Sequence, residues 1–423
     1  MSALLTALPV GLLVLGTPIF VVFLAAVVFA IFFVLPTPPI ALHQVLFGGL
    51  DNYALLAIPF FIFAGELMGT SGIAGRLIAW VLALVGRVPG SLGVATVGAS
   101  TVMGAISGSS VAAVAALSKT LYSDLERSGY GKQRSAGLLA SSGAIDIVIP
   151  PSIAMILYGL AAEQSIPRLF MAGILPGLMI ALMMCAFVVT VAIILRLPVV
   201  GHFDAAVALR ATRHAAAALL MPVFVLGGIY KGWFSPTEAG GFACFYAIVV
   251  ARFVYRTMGW TDIVRAAGNA AMLSARILII VAVAGVVTWL LTTQGVPQAV
   301  VGWIQSMQLN AFAFLLSVNV LLLVVGCFLD PTSAILVLAP LLVPLAVSVG
   351  VDPIHFGVIM TVNLAIGMFT PPFGLNLFVV QSATGLPAHT IYKGVLPFVG
   401  VQIAALLIIT YVPALSLALG QPL

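Results

Sequence analysis

The chain has 423 residues, of which 63% are hydrophobic and 6% charged, and its mean hydropathy is +1.26; a soluble domain carries roughly 25% charged residues. Sixteen basic and eleven acidic residues cannot clothe a 43.8 kDa globule in water, so a soluble fold is excluded and most of the surface faces lipid or other apolar helices. The net charge of +5 is scattered along the chain without an aromatic-interleaved basic patch, which sets nucleic acid aside as a partner and leaves the lipid bilayer.

Apolar runs punctuated by Gly, Pro or charge predict crossings at about residues 2 to 16, 18 to 35, 53 to 72, 134 to 162, 168 to 196, 214 to 231, 236 to 255, 270 to 293, 355 to 382 and 393 to 417. The N-terminus lacks the positive region of a secretory signal, so its apolar stretch is expected to be a retained membrane segment. Two further stretches, residues 90 to 118 and 310 to 349, fit poorly as single crossings because each has a polar, small-residue centre: Gly104 to Ser110 and Gly326 to Ser333. Each reads as a re-entrant hairpin. Non-helical backbone at membrane depth is tolerated only inside protein or against a water-filled cavity, so the tips are expected at an aqueous or ion-filled site.

Two other segments are broken in the middle by tandem prolines, Ser141 to Ser152 and Asn363 to Phe373, which remove helix hydrogen bonds and bias the preceding residue away from helix. Hairpin and Pro-Pro break recur in the same order, with Gly104 and Gly326 separated by 222 residues and Pro150 and Pro371 by 221. Ser142 then falls opposite Asn363, and Asp146 opposite Gly367. Such matching punctuation is the signature of an internal-repeat transporter. Arg76, Arg87, Lys119, Arg127, Lys132 and Arg134 flank the first hairpin, whereas residues 294 to 310 and 350 to 355 around the second contain no Lys or Arg. Because cytoplasmic loops collect basic residues, the two repeats are expected to be inverted. The fold class is therefore all-α and polytopic: two inverted repeats, two re-entrant hairpins and two Pro-Pro-broken helices. The expected division is residues 1 to 87 and 197 to 293 as scaffold. Residues 88 to 196 (hairpin 88 to 120, broken helix 134 to 162) and 294 to 423 (hairpin 310 to 350, broken helix 355 to 382) form the transport part.

Helix ends meeting near the midplane offer positive N-termini to anions and free carbonyls to small cations. Na⁺ wants oxygen ligands, which unwound carbonyls with Ser and Thr hydroxyls supply. Ser107, Ser109 and Ser110 with the Ser142 to Pro150 break form one such candidate, and Gly326, Asp330 and Thr332 with the Gly367 to Thr370 break its mirror image. Asp146 and Asp330 are carboxylates inside these polar breaks, where an unpaired charge costs about 2.5 to 3.5 kcal/mol to insert. Asp330-Pro-Thr-Ser333 fits either a cation contact or a helix N-cap. Asp146 has no capping frame and points to ion or proton contact. Glu238 fits the first turn of a helix, Arg276 the snorkelling end of a crossing, and Glu66 is open between roles.

Other chemistries find little support. Cys185, Cys244 and Cys327 form no CxxC or Cys/His cluster, no HExxH or phosphate-binding loop occurs, and the histidines lie near loop boundaries. Neither an enzyme nor a resident cofactor is expected. An intramembrane aspartyl protease needs adjacent carboxylates sharing a proton, and the surroundings of Asp146 and Asp330 do not resemble its motifs.

The Gly104 to Ser110 hairpin, Ile149-Pro-Pro-Ser152 with Tyr158-Gly159, the run Ile58-Pro59 to Gly65-Glu66-Leu-Met68, Ser235-Pro-Thr-Glu-Ala239 and Thr370-Pro-Pro-Phe373 together resemble the large membrane subunit of tripartite ATP-independent periplasmic (TRAP) transporters, of the ion transporter superfamily. The resemblance spans nearly the whole chain. It implies a bacterial inner-membrane carrier with an elevator mechanism and Na⁺-coupled uptake of an organic acid delivered by a periplasmic substrate-binding protein. It also implies a small four-helix membrane subunit, expected here as a separate chain. Carried over residue by residue, one sodium site takes Ser107, Ser109, Ser110, Gly143, Asp146, Val148 and Pro150. The other takes Gly326, Asp330, Thr332, Gly367, Met368 and Thr370. Substrate candidates are Ser110, Ser142, Pro151, Ser152, Thr332, Asn363 and Pro372. Asp146 departs from the pattern, which more often has Gly there, and a carboxylate at that place repels an acidic substrate unless Na⁺ or a proton neutralises it. A stand-alone carrier of the same superfamily, without a binding protein, is the alternative.

Overall fold

A computed structural model of the chain describes residues 11–12, 15–33, 38, 40–197, 199, 204–306 and 310–420. Regular structure among the described residues is entirely helical. The crossing expected at about residues 2 to 16 lies almost wholly outside them.

Helices α1 (Ile19–Phe33) and α2 (Ile40–Gly48) precede a 3-10 turn, Tyr53–Leu56, that runs into α3 (Ala57–Thr70) and then α4 (Ile73–Val85). The first hairpin is α5 (Ser91–Ser107) and α6 (Ser110–Leu125). A π-helical turn, Glu126–Tyr130, leads to the first broken helix, α7 (Gly131–Val148) and α8 (Ile153–Ala161), which α9 (Ile166–Ile194) follows. Next come α10 (Ala205–Tyr230), α11 (Pro236–Val249), α12 (Trp260–Thr293) and α13 (Val296–Ser306). The second hairpin is α14 (Ala311–Gly326) and α15 (Pro331–Ser348), the second broken helix α16 (Pro353–Gly367) and α17 (Leu375–Thr384), and α18 (Ala388–Tyr411) and α19 (Ala414–Gly420) complete the described chain. Among the described residues, seven helices are long and apolar enough to cross a membrane, or eight counting one bent pair as a span.

Both expected hairpins and both breaks are present, for local reasons. Gly108 ends α5 in the left-handed region (φ +58°), its N–H donating to the Gly104 carbonyl at 3.0 Å. A side chain at Gly108 would also come within 2.5 Å of the Pro151 carbonyl oxygen, so glycine is required twice over. At the second hairpin Asp330 caps α15, accepting from the Ser333 N–H at 3.1 Å, and Pro331 takes the first helical position, where no donor is needed. Ser152 caps α8 by accepting from the Met155 N–H at 3.3 Å, and the helical run ending at Val148 is bent by 45° relative to α8. Pro150-Pro151 and Pro371-Pro372 are both cis.

The boundaries differ from the sequence expectation at three places. Residues 73–85, read as a basic flank, form α4, an amphipathic helix of 13 residues that a search for long apolar runs passes over. The basic stretch after the first hairpin is helical, since α6, the π turn and α7 follow one another without a gap. Helix α12 begins at Trp260 rather than near residue 270, its polar first turn secured by a hydrogen bond of 2.9 Å from the Gly259 N–H to Asp262 Oδ2.

Helix α3 lies between α11 and α12, and α4 rests on α10 and α5. The hairpins and broken helices interlock across the repeats. α5 and α6 pack on α7, and α14 and α15 on α16, yet α6 also packs on α17 and α15 on α8. Helix α18 lies along α7, while α9 touches α16, and α7 and α16 meet each other. Lipid is as apolar as leucine, so close backbone approach through small residues drives such contacts rather than escape from water. Gly137 of α7 and Gly394 of α18 illustrate this: a methyl group on Gly137 would collide with the Gly394 carbonyl, and one on Gly394 with Gln133.

Candidate functional site

The first hairpin tip and the first break come together as expected, and a residue of the second repeat joins them. Ser110, 2% exposed, begins α6 with its Oγ 2.7 Å from Nδ2 and 3.0 Å from Oδ1 of the fully buried Asn376 in α17. The Asn376 amide NH₂ also donates to the Ala140 carbonyl of α7 at 3.0 Å. Gly143 faces the same hydroxyl, since a Cβ there would lie 2.7 Å from Ser110 Oγ. Ser107 is buried and its Oγ accepts from the Ser109 N–H at 3.3 Å, closing the turn. Three elements thus converge on one hydroxyl. Asn376 escaped sequence reasoning; its only signal is an amide inside an apolar run five positions past Pro371.

Asp146 is fully buried on the face of α7 against α5. The Ser100 hydroxyl donates to its Oδ1 at 2.7 Å and lies 2.9 Å from the Ser142 carbonyl, while Asp146 Oδ2 has no partner. Gly104 sits so close that a Cβ would stand 2.6 Å from Asp146 Cα. Three of the substrate candidates of this repeat make local contacts at the break. Ser142 Oγ donates to the Leu138 carbonyl at 2.7 Å, Ser152 caps α8, and the Pro151 carbonyl faces Gly108. The Val148 carbonyl faces Gly173 of α9 rather than the hairpin tip.

In the second repeat Gly326 and Gly367 touch, a Cβ on Gly367 standing 2.5 Å from the Gly326 carbonyl oxygen. This contact is the counterpart of Gly104 on Asp146. Asp330 is a cap: beyond its bond to the Ser333 N–H, its Oδ1 accepts from Ser333 Oγ at 2.6 Å, so the capping role is present in this geometry. Thr332 is half-buried in the first turn of α15. The Met368 carbonyl accepts from the Asn376 N–H at 2.9 Å, and Thr370 Oγ donates to the Ile366 carbonyl at 2.7 Å. Asn363 stands apart from the tip: its Nδ2 donates to the Asn319 carbonyl and Oδ1 at 3.0 and 2.9 Å, and Asn319 in turn donates to Thr410 at 3.0 Å. Pro372 is exposed, its carbonyl accepting from the Tyr392 hydroxyl at 2.8 Å.

Of the remaining carboxylates, Glu238 completes a capping box with Ser235 at the start of α11, as its position suggested. Glu66 accepts from Asn269 Nδ2 at 3.1 Å and lines a polar cleft of about 300 Å³ with Thr70, Asp262 and Arg265. Two further clefts border the interlocked helices. One, about 450 Å³, lies between α6 and α17; the other, about 230 Å³, is lined by Asn52, Glu163, Thr288 and Pro340, near the end of α12 remote from Arg265.

A polytopic helical bundle with two inverted hairpin-and-broken-helix units defines a secondary carrier. The chain belongs to the family described as tripartite ATP-independent periplasmic transporter, DctM component, whose pattern matches residues 6–415. It is a multi-span membrane permease component and not an enzyme. The C4-dicarboxylate TRAP transporter large permease protein DctM of Pseudomonas aeruginosa is 41% identical over 374 residues, 88% of each chain. The isethionate TRAP transporter permease protein DctMQ of Oleidesulfovibrio alaskensis is 38% identical over 377 residues, covering 88% of this chain and 59% of that protein. The crystal structure of the YdaH transporter of Alcanivorax borkumensis shares the fold, with a TM-score of 0.60 over 90% of each chain at 14% identity.

Proposed function

We propose that the chain is the transport subunit of a Na⁺-driven importer of small organic acids in the bacterial inner membrane. A periplasmic binding protein delivers the cargo, and a small four-helix subunit on a separate chain completes the complex. Relatives named for a C4-dicarboxylate and for isethionate support a small organic anion as cargo. The DctMQ relative extends well beyond the region this chain matches, in keeping with a second component in that protein.

The observation that carries the mechanism is the exchange of partners between repeats. The second arm of each hairpin rests on the broken helix of the other repeat, α6 on α17 and α15 on α8, so the two units form one body. That body, residues 88 to 196 and 294 to 423, moves as an elevator against the scaffold of residues 1 to 87 and 197 to 293. Sodium binds at the two hairpin tips. At the first, Ser107, Ser109 and Ser110 supply oxygens beside Gly143, and Asp146 Oδ2 is an unclaimed acceptor one turn away. At the second, the hydroxyl of Thr332 and carbonyls of the Gly367 to Thr370 break do the same. The cation's charge then offsets that of the arriving carboxylate. No arginine lies in these motifs, so selectivity rests largely with the binding protein.

Uptake of radiolabelled succinate, pyruvate and gluconate into proteoliposomes holding this chain and its small subunit tests the reading. Each acid is measured with and without an inward Na⁺ gradient and with and without the binding protein. Accumulation only when both are present supports it. Uptake indifferent to the binding protein would make the chain a stand-alone carrier, and uptake indifferent to Na⁺ would remove the coupling ion.

A further inference from the structure

We infer that the cleft between α6 and α17 is the cytoplasmic exit path for the organic anion, with Lys119 as the cation that receives its carboxylate. The inference rests on the proposed carboxylate cargo and adds a binding group that the hairpin tips do not contain. Val111, Ala115 and Lys119 recur every four residues along one face of α6, and Leu375, Phe378 and Ser382 line the opposing face of α17. The resulting cleft, about 450 Å³, is of the size that holds small organic ligands. Its inner end adjoins the site: Val111 and Leu375 are the chain neighbours of Ser110 and Asn376, the buried pair that ties the first hairpin tip to the second break.

From Ser110 the nine-residue step to Lys119 runs about 13 Å along the helix, toward the end that carries Arg127, Lys132 and Arg134. Lys119 is exposed, and it is the one charged residue in the lining of this cleft. No acidic side chain pairs with it among the described residues. A cation without a counter-ion at the outer mouth of a low-dielectric cleft concentrates anions there. Ser382 on the facing helix contributes a hydroxyl to the same lining. An anion released from the tip therefore meets apolar walls along the cleft and then a positive charge, on a route that begins where three elements converge.

Two readouts test this. In the complete complex, Ser382→Cys and, as a second probe, Ala115→Cys are exposed from the cytoplasmic side to thiol reagents of opposite charge, with the unsubstituted chain as the control for its native cysteines. Labelling is expected, with the anionic sulfonate reagent favoured over the cationic ammonium reagent by about fivefold, a preference that Lys119→Gln removes and Lys119→Arg keeps. Two cysteines that resist both reagents would show a cleft filled by lipid or protein and overturn the inference. Transport is then read as exchange of internal cargo, using whichever of succinate, pyruvate and gluconate the wild type carries. Lys119→Gln is expected to raise the internal concentration for half-maximal exchange severalfold, with external affinity unchanged, and Lys119→Arg to restore it. Wild-type exchange matched by Lys119→Gln at every concentration would overturn this inference alone. A wild type that moves none of the acids would remove the proposed function and the inference with it.

Discussion

Ser110 and Asn376 hold one another through hydrogen bonds of 2.7 and 3.0 Å although 266 residues separate them, and neither has access to solvent beyond 2%. The pair is a buried polar contact between α6 and α17, and it lies at the inner end of the cleft those helices form. Removing either partner leaves the other's polar atoms buried. A double-mutant cycle of Ser110→Ala and Asn376→Ala, read by thermal unfolding in detergent, is expected to yield a coupling energy of about 0.6 to 1.7 kcal/mol, the range of interhelical hydrogen bonds in membrane proteins. Additive effects would mean that the two side chains are merely neighbours.

The division of labour at the second hairpin is open to a direct comparison. Thr332→Ala and Ser110→Ala are expected to raise the Na⁺ concentration for half-maximal uptake. Asp330→Ala, which removes a cap whose two oxygens are occupied by Ser333, is expected to cost about 1 kcal/mol of stability and leave that concentration unchanged. A shift in Na⁺ dependence for Asp330→Ala, with none for Thr332→Ala, would reverse the assignment.

Glycine contacts at matching places in the two repeats predict matching sensitivity. Gly104→Ala brings a Cβ to 2.6 Å from Asp146 Cα, and Gly367→Ala drives one into the Gly326 backbone, where no side chain can yield. Each substitution is expected to destabilise by about 1 to 3 kcal/mol or more. Gly75→Ala in α4, with no atom within 4 Å of its Cβ, is the control and is expected to be neutral or slightly stabilising. Equal melting temperatures for all three would show that the helices can separate at no cost.

Asp146 is the asymmetry between the repeats. Its Oδ1 takes the Ser100 hydroxyl at 2.7 Å while Oδ2 is unpartnered. Ser100→Ala is expected to destabilise the wild type by about 1 to 3 kcal/mol, and to do markedly less in an Asp146→Gly background. Uptake by Asp146→Gly is expected to show altered Na⁺ dependence; unchanged dependence on Na⁺, pH and substrate would reduce the carboxylate to a packing group.

Much of this architecture was legible because Gly and Pro constrain the backbone itself. The break at Pro150, the turn at Gly108 and the cap frame at Asp330 act within a few residues, so their spacing exposed both hairpins and the repeat. Helix α4 was hidden because its 13 residues are too short and too amphipathic to register as a crossing. Asn376 and Ser100 were hidden for a different reason. Their partners lie in other elements, and only the three-dimensional contact of α17 with α6, or α5 with α7, turns an isolated polar residue into part of a site. Nor could position in the break show the surroundings of Asn363 and Pro372: Asn363 belongs to a network with Asn319 and Thr410, and Pro372 is at the surface.

The exchange of helices between repeats also bears on biosynthesis. Ribosomes deliver α5, α6 and α7 to the bilayer early, but the amide that meets Ser110 and the Ala140 carbonyl resides in α17, and the helix that seats on Gly137 is α18. The earliest hairpin must therefore wait, with the Ser110 hydroxyl lacking its Asn376 partner, until nearly the last segment has been translated and inserted. A ribosome that stalls before α17 leaves behind an incomplete first half, the kind of exposed polar surface by which membrane quality control can recognise an unfinished chain.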